Sequence, residues 1–372
     1  MSTSAEQQFG PIRSILWPIK NKELKIVLPM LLMLFMVCFN YSILRNLKDV
    51  LVVTAAASGG EIIPFIKVWA MLPMAVLSAL VFTKLTNRFS QEVVYYIMIG
   101  GFLVSYAFFG FVIYPMGEQA ELTSVADFLE RVLPAGYRGM VAMVRHWSFT
   151  FFYVMCELWG SIVLTVLFWG FANEITKVKD AKRFYSLYAV VSSFSAVLAG
   201  YMGMYFSRLE YNPNLPFGKD AWEQTIMEVV LAVVIVGVGI IVAFWWMNKY
   251  VLNSKKYSDL HEVRQAAPKI KKKQSLRASF AYLAQSKYLI CIAIIVVSYN
   301  LVINLVEVVW KDQLKLLYPN KDDYFVYLSN VTVLLGLISS IAAFFVGSSI
   351  QYFGWTKTAL VTPVLILVTS LG

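Results

Sequence analysis

Histidine appears twice in this chain and cysteine three times, and charged residues make up only 15% of its 372 positions. Ordinary soluble domains carry roughly 25%. Cys38, Cys156 and Cys291 lie far apart and inside apolar runs, so they offer neither a disulfide framework nor metal-ligand spacing. His146 sits at the edge of an apolar run and His261 in a basic linker, which leaves no zinc site. No G-x-x-x-x-G-K-[ST] phosphate loop occurs. Gly218-Lys219 has no upstream glycine at the needed spacing and no Ser or Thr after the lysine. Gly200 and Gly203 belong to an apolar run, where small residues serve helix packing. A Ser/His/Asp constellation in a polar pocket is missing too. These absences argue against an enzyme and imply no cofactor and no metal.

Apolar side chains are abundant. They make up 59% of the chain, with a mean hydropathy of +0.66. Runs fall at about 26–44, 62–82, 93–114, 147–172, 184–207, 225–247, 288–310 and 324–347, and a ninth starts near Thr358. About 20 apolar residues at 1.5 Å each cross roughly 30 Å of hydrocarbon. The expected fold class is therefore an all-α multi-pass membrane protein.

Loop charge sets its expected orientation. Four Lys/Arg precede the first run (Arg13, Lys20, Lys22, Lys25), and nine lie within 249–277. The loops near 115–146 and 208–223 hold five Lys/Arg against seven Asp/Glu. By the positive-inside rule the N-terminus and the basic linker are cytoplasmic. The net charge of +10 is thus mainly an orientation signal. The run Lys269-Ile270-Lys271-Lys272-Lys273 lacks interleaved aromatics, so it suits anionic lipid better than nucleic acid.

Six runs, a basic linker and a second set match the two-half plan of major-facilitator-like transporters. The expected units are a cytoplasmic segment 1–25, a six-helix half 26–248, the linker 249–286 and the start of a second half, 287–372. That second half would be incomplete here, with two full spans and part of a third. An ungapped comparison of the first and seventh runs sets Tyr41-x4-Asn46-Leu47-Lys48-Asp49 against Tyr299-x4-Asn304-Leu305-Val306-Glu307, in the register that two pseudo-symmetric halves require.

Charges inside apolar runs are the candidate site. Lys67, Glu157 and Glu307 interrupt stretches that would otherwise sit in hydrocarbon. Each costs at least about 2.5–3.5 kcal/mol near the bilayer centre unless it faces a cavity, a partner or a ligand. Arg45, Lys48 and Asp49 end the first run. Arg45 and Asp49 are four apart and placed to pair, while Lys48 fits either an interfacial anchor or a cavity group. Glu157 has two readings, a ligand role or a pair with a basic residue of a neighbouring helix, with Lys67 as the candidate. Glu307 has Lys311 at i+4, so a local pair competes with a ligand role. Tyr41, Trp69, Trp159, Phe168, Trp169, Tyr299 and Trp310 crowd these positions and could stack on a base or simply pack.

These motifs carry a resemblance. The stretch from Asn40 to Ala55 (NYSILRNLKDVLVVTA) resembles the first-span signature of the non-mitochondrial ATP/ADP translocases of chlamydiae, rickettsiae and plastids. Ile63–Trp69 (IPFIKVW) looks like their second-span motif. Glu157–Gly160 (ELWG) with Leu167–Asn173 (LFWGFAN) resembles the fourth, and Asn304–Lys311 (NLVEVVWK) the seventh. The resemblance implies antiport of external ATP for internal ADP, with phosphate accompanying ADP in members that carry it. It also implies that Lys67, Glu157 and Glu307 fall on charged positions important for transport. Joined with the residues read above, the expected substrate-binding set is Lys67, Arg45, Glu157, Glu307, Lys48, Asp49, Tyr41, Asn304, Trp169 and Tyr299. A further functional lysine of that family falls in a late span, beyond Gly372. A short N-terminus without a plastid-type transit peptide favours a bacterial member in the inner membrane. ATP, ADP, phosphate and membrane lipid are then the expected partners, with no nucleic acid and no obligate protein. The open alternatives are a paralogue moving other nucleotides by uniport or proton coupling, a membrane-embedded enzyme, and a non-transporting membrane scaffold.

Overall fold

A computed structural model describes residues 19–176, 178–252 and 286–370. Among them every regular element is a helix. In chain order these are α1 (Leu24–Val53), α2 (Ile62–Arg88), α3 (Gln91–Gly117), α4 (Thr123–Val132), α5 (Arg138–Arg145) and α6 (Trp147–Ile175). Then follow α7 (Val178–Ser207), α8 (Ala221–Leu252), α9 (Lys287–Leu317), α10 (Lys321–Phe353) and α11 (Trp355–Ser370). Eight of them are long and apolar enough to cross a membrane, so the chain is an all-α multi-pass membrane protein. Most of the basic linker, from 253 to 285 and including Lys269–Lys273, lies outside the described residues, as do residues 1–18. The loop expected near 115–146 contains α4 and α5 instead. Arg145 at the end of α5 binds Asp127 and Glu130 of α4, at 2.8 and 3.2 Å.

The core is built around α1. Its apolar residues occupy more than one face, and Val50, Leu51, Val52 and Val53 are consecutive and all buried. A helix that is apolar all round belongs in an interior, and α6, α7, α8 and α10 enclose this one. Most of the contact between early and late helices runs along α7 and α10. Small residues allow that approach: a Cβ on Gly200 would lie 2.6 Å from the Ser329 carbonyl oxygen. At the N-terminal end, Arg183 of α7 ties Glu23 at 2.9 Å, anchoring the start of α1.

Four spans widen into π-helix: α3 at Phe109–Ile113 and α8 at Met247–Leu252, and two more beside charged residues. In α2 the stretch Ile66–Met71 is π-helical, with the Leu72 N–H donating to the Lys67 carbonyl five residues back. Pro73 explains the widening, because it has no N–H and its ring clashes with the carbonyl four residues earlier. In α6 the stretch Trp159–Phe168 is π-helical as well, starting two residues after Glu157. Wide turns of this kind concentrate at functional sites.

Candidate substrate site

Seven charged side chains from four helices converge near the ends of α1 and α9 that lie away from the N-terminal segment. Asp49 of α1 is the middle member. One of its oxygens accepts from Lys48 at 2.8 Å and the other from Lys311 of α9 at 2.7 Å. Lys48 also reaches Glu157 of α6 at 2.9 Å and lies 3.9 Å from the centre of the Tyr153 ring. Lys311 also reaches Glu307 at 2.8 Å. The result is an alternating row, Glu157–Lys48–Asp49–Lys311–Glu307. Arg45 approaches the far carboxylate at 3.5 Å and Lys67 at 3.8 Å, and Lys67 donates to Asn304. Four cations meet three carboxylates, leaving one positive charge in excess.

Exposure divides this group. The side chains of Lys48, Asp49 and Lys311 are 4%, 3% and 2% exposed. Arg45 is 51% exposed and Lys67 32%, with Glu157 and Glu307 between the two groups. The sealed middle satisfies itself, as buried ions must. The open ends can meet a ligand, and the two open cations suit an anionic one.

Several pairings differ from those expected. Glu157 is held by Lys48 and not by Lys67. Arg45 turns to Glu307, because Lys48 and Lys311 already occupy Asp49. Lys48 is buried rather than anchored at a headgroup. Trp159 is fully buried and donates to the Val37 carbonyl at 3.1 Å, so it is core. Trp169 packs against Tyr185, with ring centres 5.2 Å apart, about 18 Å along α6 from Glu157. Tyr299 lies two turns before Glu307 on α9 and is exposed. Tyr41 is closer to the cluster: one turn before Arg45, its ring fills the space beside Gly160.

The profile of the TLC ATP/ADP transporter family matches residues 2–372. The chain belongs to that family. ADP,ATP carrier protein 1 of Chlamydia trachomatis serovar D is 43% identical over 372 residues, spanning 100% of this chain and 70% of that protein. ADP,ATP carrier protein 1 of Chlamydia pneumoniae is 41% identical, also across 100% of this chain and over 72% of its own length. The plastidic ATP/ADP-transporter of Solanum tuberosum is 39% identical over 349 residues, 94% of this chain and 54% of that protein. No solved structure matches.

Sequence reasoning missed three contributors to this candidate site. Lys311 reads as a local partner of Glu307 at a run edge, yet it is fully buried and bridges α9 to α1. Tyr153 sits one turn before Glu157, which is the only linear hint of its place beneath Lys48. Thr332 of α10 exchanges hydrogen bonds with Asn46 at 3.0 and 3.1 Å, and no spacing signal points to it.

Proposed function

We infer that this protein is a secondary transporter exchanging external ATP for internal ADP across a bacterial inner membrane, with its N-terminus cytoplasmic. The observation that carries this reading is the open pair Arg45 and Lys67 set on a sealed row of charges. Arg grips phosphate oxygens through a fork and Lys acts as a point charge. Both now share Glu307, so a nucleotide phosphate would compete with that carboxylate for them. Tyr41, one turn from Arg45 with its ring beside Gly160, is the ring we assign to the base. The names of the chlamydial and plastid relatives support the choice of nucleotide.

The mechanism we assign is alternating access between two helix sets, 26–248 and 287–372, around a fixed site. Two cross-set bonds support it. Asn46 of α1 bonds Thr332 of α10, and Asn304 of α9 bonds Lys67 of α2. The two asparagines are the ones that match when the first and seventh spans are aligned, and each reaches the second helix of the opposite set. Phosphate travelling with ADP would balance a swap that otherwise moves net charge through the membrane potential.

The test is uptake of labelled ATP into proteoliposomes loaded with ADP. Uptake that requires internal ADP, and that Lys67→Ala abolishes in folded protein, supports the reading. Uptake into empty vesicles would replace exchange by uniport or proton coupling, and uptake of GTP or CTP in place of ATP would change the substrate.

A further inference from the structure

We propose that Asp49 and Lys311 are positioning residues of a latch that closes the substrate pathway at the end remote from the N-terminus. The latch parts into two self-paired units when that end opens. This rests on the transport reading above.

The row of charges is divided in advance. Lys48 and Asp49 are neighbours on α1, and Lys48 keeps Glu157 of the same helix set. Glu307 and Lys311 are one turn apart on α9. The direct link between the sealed members of the two sets is Asp49 to Lys311, at 2.7 Å. If that contact separates, each of its two charges retains a partner on its own helix. Breaking a buried pair is costly mainly when a charge is left without compensation. Here the partition removes most of that penalty, which is what a contact that breaks in every transport cycle requires.

A second layer lies over the first. Beyond Lys311, Asp312 accepts from the Gly60 N–H at 3.2 Å and Lys315 donates to the Ser58 carbonyl. Ser58 in turn donates to the Val52 carbonyl at 2.7 Å, fastening the loop to α1. Gly60 is required by close approach, because a Cβ there would meet the Val308 carbonyl oxygen at 2.6 Å. A single turn of α9, Lys311 to Lys315, thus grips both α1 and the α1–α2 loop. Leu314, on that turn, is buried.

The experiment reads access and not transport alone. In the reconstituted protein, with Cys38, Cys156 and Cys291 replaced by alanine, Leu314→Cys is labelled with a membrane-impermeant maleimide from the side remote from the N-terminus. Asp49→Asn and Lys311→Met are each expected to speed labelling about tenfold or more, since each leaves a buried charge without its cross-set partner. Lys311→Arg is expected to keep labelling slow. Parental labelling rates in both charge-removing variants would overturn the latch, whatever happens to exchange. Should those variants fail to fold, Asp312→Ala in the overlying layer decides instead: faster labelling supports the latch and an unchanged rate overturns it. Faster labelling in a protein that neither binds nor moves ATP would keep the latch and remove the transport reading. Exchange of ATP with no change in labelling would do the reverse.

Discussion

Glu307 is shared by three cations: Arg45, Lys67 and Lys311. In the proposed site, a phosphate would displace it from the two that are open. Glutamine in its place keeps the shape and removes the charge, so Arg45 and Lys67 are left free for nucleotide. Glu307→Gln is therefore expected to bind ATP more tightly and to turn over more slowly, because the empty site no longer recloses. We expect each change at about tenfold, the effect of roughly 1.4 kcal/mol, with binding isotherms and exchange rates measured on the same preparation. Weaker binding with turnover unchanged would make Glu307 a direct nucleotide contact instead. At this scale the sequence was legible wherever solvation penalises a charge. Lys67, Glu157 and Glu307 stood out because hydrocarbon has no use for them. Lys311 did not, since it lies where an apolar run gives way to polar residues and a lysine there ordinarily reaches for water. Its burial depends on Asp49, a neighbour 262 positions away in the chain, and linear spacing carries no record of such a contact.

The helices carry their own consequence. The wide turn Ile66–Met71 in α2 contains Lys67 and is followed by Pro73. An interior proline costs a helix about 3 kcal/mol or more, so its presence one and a half turns after a site lysine sets stability against placement. Pro73→Ala would restore the missing hydrogen bond and let the turn tighten. Taking one residue out of a wide turn rotates the N-terminal part of the helix by about 100° relative to its C-terminal part, which carries Lys67 away from Asn304 and Glu307. Thermal stability is expected to rise while exchange falls several-fold, and the opposite signs separate this outcome from simple damage. Exchange that survives at the parental rate would show that the wide turn does not aim Lys67. Most elements were legible from apolar run length, and the helices extend those runs by a turn or so at many ends. The short helices α4 and α5 were not, because their charges dilute the apolar signal and their order comes from Arg145 holding Asp127 and Glu130.

For the whole molecule, the sealed and open parts of the site should answer differently to salt and to nucleotide. Lys48, Asp49 and Lys311 are almost fully enclosed, and pairs shielded from solvent are screened little by ions. Arg45 and Lys67 are open, and their attraction for a polyanion falls as the Debye length shrinks from about 10 Å at 0.1 M to about 3 Å at 1 M salt. ATP at one hundred times its Kd contributes about 2.7 kcal/mol to the folded state. For a protein of this size that corresponds to a Tm rise of roughly 3–8 °C. Raising salt to 1 M is expected to erase most of that rise while leaving the Tm without nucleotide nearly unchanged. Lys67→Ala should abolish the rise at low salt without lowering the starting Tm, since Glu307 keeps Arg45 and Lys311. A thermal-shift series with and without ATP, over both salts and both proteins, checks these outcomes together. If salt lowered the nucleotide-free Tm as strongly as it removed the ATP effect, the enclosed row would not be sealed from solvent. The division between a structural middle and two open, ligand-facing cations would then fail.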